Sequence, residues 1–174
     1  MPGEYIAWVG HRMDYKGATS PLEQWTALEV RKMRAMLRQK KAEQDTWFEE
    51  KKVLKSGTRI TKLEQAVSDL TVGLIVAILE KSSALNATDE ALEGARQQVQ
   101  DFLNYGRDMM LALSSYLASY LPGGGLALNA STLSLVRKLV EDIDGAFCSY
   151  IFTKNSASRP LFPDNITDFF MMNR

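Results

Sequence analysis

A row of cations with helical spacing is the strongest chemical feature of the sequence. Its members are separated by steps of three, four and three residues: Arg31, Arg34, Arg38 and Lys41. In a helix, this spacing places all four side chains on one face. Such rows bind phosphate backbones, and arginine adds bidentate hydrogen bonds to phosphate oxygens. The row therefore predicts a surface for nucleic acid or another polyanion.

Positive charge continues past this row. Residues 31–62 contain 11 Lys/Arg and 4 acidic side chains, a balance of +7. Trp47 and Phe48 lie within this stretch and can stack on bases. We expect RNA or single-stranded DNA as the partner, with these candidate contacts: Arg31, Arg34, Arg38, Lys41, Lys51, Lys52, Lys55 and Arg59. The alternative is a solvated amphipathic face on which neighbouring acids pair with the cations.

Charge is unevenly divided along a chain of zero net charge. Residues 1–62 carry 13 Lys/Arg against 8 Asp/Glu, and residues 63–174 carry 8 against 13. This asymmetry favours either a polyanionic partner for the first part or head-to-tail contacts between copies.

No pattern typical of catalysis is found. His11 is the single histidine and lies in no recognisable triad setting. Glu141, Asp142 and Asp144 form an acidic cluster, but the chain lacks the Glu-x-x-His pairs of a di-metal bundle. The glycines at 123–125 are followed by no Lys-Ser or Lys-Thr, so they do not predict a phosphate loop. We expect no enzyme activity, catalytic residue, metal, cofactor or small-molecule substrate.

The lone cysteine and the hydropathy pattern bear on compartment. Cys148 excludes an internal disulfide, and its apolar neighbours predict a buried thiol. The N-terminus shows no signal-peptide pattern. The most apolar run, residues 70–79, is too short to span a bilayer. The sequence predicts a soluble protein without membrane insertion, in the cytoplasm or within an assembled particle.

The longest helical pattern covers residues 92–120. Apolar or small residues recur there in steps of three and four: Leu92, Ala95, Val99, Phe102, Gly106, Met109, Leu113, Tyr116 and Tyr120. A run of this kind is the seam of a coiled coil or long bundle. Thr88 can cap its start. We expect this helix at the centre of the protein.

Three further helices are predicted around it. A capping box at 20–23 starts the first, which runs to about Lys55 with a possible bend near Gln44. A capping box at 61–64 starts the second, whose run 70–79 is apolar on all sides; a β-strand is the alternative for that run. The fourth begins at Asn129 or Ser131 and ends near 153.

Two apolar arms flank this bundle. The sequence predicts one all-α domain, with an N-terminal arm at 1–19, a bundle of four main helices at 20–153 and a C-terminal arm at 154–174. Large apolar side chains in the arms need cover, and a second copy can supply it. The candidate homo-oligomer contacts are Tyr5, Trp8, Phe162, Phe169, Phe170 and Met171.

Two functions fit these features. The first is a structural subunit that self-associates through its arms and can order nucleic acid as virus coat or filament proteins do; this comparison is an architectural analogy. The second is a helical adaptor or chaperone that binds a protein partner. A small helical enzyme is the third hypothesis.

Overall fold

The protein is a four-helix bundle in a computed structural model that describes residues 19–121 and 124–156. The helices are α1 (Pro21–Glu50), α2 (Thr58–Leu85), α3 (Asp89–Ala118) and α4 (Gly124–Asn155). The predicted all-α bundle is confirmed, and the run at 70–79 is helix rather than strand. The candidate arm contacts Tyr5, Trp8, Phe162, Phe169, Phe170 and Met171 lie outside the described residues.

Consecutive helices run antiparallel, so α1 is parallel to α3. Gln98 Nε2 donates to the carbonyl of Glu23 at 3.2 Å near the start of both helices. Helices α2 and α3 each contact the three other helices, whereas no contact between α1 and α4 occurs in the described part of the chain. The core therefore lies along α2 and α3.

The seam of α3 follows the sequence pattern for its first half. Leu92 through Gly106 are buried at the predicted positions, but the buried face then moves to Met110, Leu113 and Leu117. Tyr116 and Tyr120 are exposed. A straight helix drifts by about 20° per heptad relative to a 3.5-residue repeat, which rotates the later members of a strict seam out of the core.

Gly106 lies at a close approach of α3 to α2. A Cβ atom at this position would lie 2.9 Å from Cγ1 of Val67, a fully buried side chain. Glycine therefore allows the two central helices to pack at this distance.

Two of the predicted helix starts are confirmed. Ser20 and Glu23 form a reciprocal capping box on α1, and the Thr88 hydroxyl accepts from the backbone N–H of Ala91 at 3.2 Å. These caps satisfy amide groups that a helix leaves without intrahelical partners.

Two other predicted caps are wrong, because tertiary contacts take up the polar side chains; the second helix still begins within one residue of the predicted start near 59–62. Helix α2 begins at Thr58 without a side-chain cap, and Glu64 instead accepts from Thr132 of α4 at 3.0 Å. Helix α4 begins at Gly124, and Asn129 accepts from Ser114 of α3 at 2.7 Å instead of capping.

Helix α1 is one continuous helix that ends at Glu50, earlier than predicted. The connection that follows turns at Lys52, whose φ of 56° is left-handed. None of the four helices combines the length and the apolar character that a bilayer-spanning helix requires, within the ranges described.

The two ends of the bundle differ. At the terminal end, where α1 begins and α4 finishes, Asn155 Nδ2 donates to Asp89 at 3.0 Å. The opposite end holds the α1–α2 connection and the close of α3, and we call it the lysine end for Lys51, Lys52 and Lys55.

Candidate nucleic-acid interface

The arginine row lies along the boundary between α1 and α3. Arg31 is exposed. The Arg34 guanidinium lies 5.2 Å from the ring centroid of Tyr105, and Arg38 Nη1 contacts the Tyr105 hydroxyl at 3.4 Å. Arg34 Nη2 also contacts the carbonyl of Asp101 at 3.5 Å. The row is thus present on one face, with two of its members resting on an aromatic ring of α3.

Arg59 does not belong to this surface. It is 6% exposed, and its Nη2 donates to Asp45 Oδ1 at 2.6 Å while Nη1 donates to the carbonyl of Leu54 at 2.7 Å. Lys41 pairs with the other oxygen of Asp45 at 2.5 Å. Both cations were expected on a phosphate-binding face. In the structure both cations pair with the Asp45 carboxylate, and Arg59 is too buried to belong to the candidate surface.

Asp45 is held in its charged form by these neighbours. Partial burial opposes ionisation, but hydrogen bonds from Lys41 and Arg59, together with their positive charges, outweigh it and lower the pKa of Asp45. The three side chains therefore neutralise one another only in part, leaving one net positive charge.

The lysine end carries more positive than negative charge, with Glu49 lining the same hollow as Lys52 and Lys55. Lys51, Lys52 and Lys55 are exposed, and none of the three forms an ion pair with another described residue. Lys55 Nζ lies 4.3 Å from the ring centroid of Tyr120. Free ammonium groups beside an aromatic ring are the elements of a backbone-binding and base-stacking surface.

Two aromatic residues predicted to stack on bases behave differently. Trp47 is 44% exposed, whereas Phe48 is 1% exposed and packs its ring against Trp47 with centroids 4.9 Å apart. Only Trp47 can meet a ligand. Tyr116 and Tyr120, whose ring centroids are 5.2 Å apart, add exposed rings near Lys55. The sequence reasoning placed both tyrosines in the buried seam and so missed them.

A cleft of about 420 Å³ opens between α1 and α2 beside Trp47. Lys40, Glu43 and Gln44 line it from α1, and Lys62, Gln65 and Asp69 line it from α2. The Lys62 ammonium lies 4.3 Å from the Trp47 ring centroid. The volume of the cleft falls within the range of small-ligand sites, which is roughly 300–1,000 Å³.

The acidic cluster of α4 is divided by its contacts. Asp144 accepts from Arg96 of α3 at 2.6 Å, and burial raises the pKa of Asp142. No group of three or more potential metal ligands forms among residues 19–121 and 126–156. Cys148 was predicted to be buried; it is exposed, because it follows Phe147 on the helix and Phe147 takes the core position.

Comparison of the chain with protein-family models, with curated proteins and with solved structures finds no match in any of the three.

Proposed function

We propose that the protein is a structural subunit, not an enzyme, that associates with copies of itself and binds nucleic acid. The observation that carries the nucleic-acid part is the lysine end, where three lysines have no ion pairs among the described residues and one of them, Lys55, lies against the exposed ring of Tyr120. Phosphate contacts supply most non-specific affinity for nucleic acid, and aromatic rings add stacking that tolerates any sequence.

Charge reversal tests this assignment. Lys51→Glu/Lys52→Glu should weaken binding to single-stranded RNA or DNA roughly tenfold near 0.1 M salt and reduce the salt slope by about 1.4, because two phosphate contacts are lost. The matched control reverses another adjacent pair, Arg137 and Lys138, on the exposed side of α4. Equal effects of the two variants would assign binding to net charge alone and would contradict the proposal.

Self-association is supported by the apolar side chains that α4 presents to solvent. Leu126 is 84% exposed, Leu133 is 51% exposed and Phe152 is 74% exposed. A contact between copies that covers these side chains would remove apolar surface from water. The apolar arm residues Phe162, Phe169, Phe170 and Met171 follow the same helix in the sequence.

Light scattering tests this part of the proposal. The full chain should have a mass well above the 19.5 kDa of one copy, and removal of residues 157–174 should lower it. The exposed residues of α4 favour a helical adaptor as the second candidate. A monomer whose mass is insensitive to the truncation would contradict the subunit assignment and leave the adaptor.

A further inference from the structure

We propose that the cleft between α1 and α2 stacks a nucleobase on Trp47, so that the nucleic acid bound at the lysine end is single-stranded. The inference deepens the proposed function and rests on it, since it names the ligand class and the contact that selects it.

The indole is placed for stacking. Trp47 is 44% exposed and lines the cleft, while the buried Phe48 ring meets the indole nearly edge-on at an interplanar angle of 86°. Phe48 thus holds the indole from behind without covering it. The Lys62 ammonium, 4.3 Å from the ring centroid, is the contact on its face. Lys62 is exposed, so its flexible side chain can move from the ring to a phosphate.

The charges in and around the cleft fit a nucleic-acid strand, in which uncharged bases alternate with charged phosphates. Inside the cleft, Lys40 and Lys62 are balanced by Glu43 and Asp69. A flat, uncharged base fits such a neutral site better than a phosphate does. Gln44 Nε2 donates to the carbonyl of Lys62 at 3.3 Å and Gln65 Nε2 donates to Asp69 Oδ1 at 2.7 Å. The amide oxygens of the two glutamines can accept from base edges.

Phosphates have their own contacts immediately outside the cleft. Lys51 lies one helical turn after Trp47, and its backbone N–H donates to the Trp47 carbonyl at 3.1 Å. Lys52 and Lys55 follow Lys51 in the connection to α2. A strand with one base in the cleft would therefore place its adjacent phosphates near ammonium groups. In a duplex the bases are stacked and paired, so none is available to enter a cleft between two helices.

The experiment compares a fluorescently labelled oligothymidine with a duplex of equal length, using anisotropy at several salt concentrations. Trp47→Ala should weaken oligothymidine binding about tenfold, because the stacking contact is lost. Its salt slope should stay unchanged, since no charge is removed. Trp47→Phe keeps an aromatic ring and should restore most of the affinity. Met36→Ala, which truncates another exposed apolar residue of α1, should have no effect.

Three results would overturn the inference. They are unchanged oligothymidine binding by Trp47→Ala, equal weakening for oligothymidine and duplex, and no difference between the Ala and Phe variants. Should Trp47→Ala fail to fold, the fluorescence lost between wild type and Trp47→Phe reports the indole directly, and the inference requires that oligothymidine quench that signal. If the wild type binds neither ligand, the nucleic-acid part of the proposed function fails, which is a distinct outcome from binding without stacking.

Discussion

Arg59 of α2 donates from Nη2 to Oδ1 of Asp45 on α1 at 2.6 Å, and this pair organises the lysine end. The same guanidinium donates to the carbonyl of Leu54 and lies between the rings of Phe48 and Tyr116, whose centroids are 5.8 and 5.7 Å from its Cζ. One side chain thus contacts α1, the α1–α2 connection and α3. The positions of the neighbouring lysines depend on it.

Loss of Arg59 should destabilise the protein. We expect Arg59→Met to lower the free energy of unfolding by about 2 kcal/mol, because Asp45 loses a partner and the Leu54 carbonyl loses a donor. Urea denaturation measures the change. Arg31→Met, at an exposed position of α1, is the control and should stay within about 0.5 kcal/mol of wild type. Equal stability of the two variants would show that the pair is energetically unimportant.

The stability that Asp45 contributes should depend on pH. Its folded pKa lies below the ordinary value of 3.8, so the contribution is fully present above that pH and is lost as the pH falls through the folded pKa. Wild type should therefore exceed Asp45→Asn in stability at neutral pH, and the difference should shrink below pH 3.8. A difference that is constant across this range would assign the effect to geometry instead of charge.

Alanine substitutions at Gly106 and at Gly73 should have opposite effects on stability. Gly106→Ala should destabilise the protein by about 1–2 kcal/mol, because its Cβ would overlap Val67 and a β-branched side chain cannot easily turn away. Gly73→Ala should stabilise it by about 0.5–1 kcal/mol, since Gly73 is exposed in mid-helix and a Cβ there meets nothing within 4 Å. Thermal unfolding measures both.

The Gly106 assignment can be checked with a double variant. Val67→Ala should partly restore the stability of Gly106→Ala by removing the overlapping methyl groups. Additive losses from the two changes would mean that the helices adjust elsewhere.

Cys148 should react with a maleimide in the native protein at a rate close to that of a free thiol, because its side chain is exposed on α4. Mass spectrometry of the labelled protein gives the rate. Strong protection that disappears when residues 157–174 are removed would identify those residues as its cover.

Local sequence patterns predicted the helices well but their ends less well. The capping box at Ser20 and the cap at Thr88 involve residues only three positions apart, so the sequence contains the whole interaction. Glu64 and Asn129 are drawn into contacts with residues 68 and 15 positions away, and no local pattern indicates which side chains will meet.

The candidate surface was predicted in part for the same reason. The exposure of the lysines could be predicted from the local sequence. The burial of Arg59 could not, because it depends on Asp45, Phe48 and Tyr116 meeting around it in the fold. The cleft beside Trp47 is formed by side chains from two helices, and the exposure of Tyr116 depends on the true pitch of α3.

The two ends of the bundle differ in charge, so the molecule is polar along the helix axes. A helix of 30 residues is about 45 Å long, so the described chain termini and the lysine end are separated by nearly that distance. Copies packed around a rotation axis parallel to their helices would all direct their lysines the same way, giving a rim of repeated positive charge.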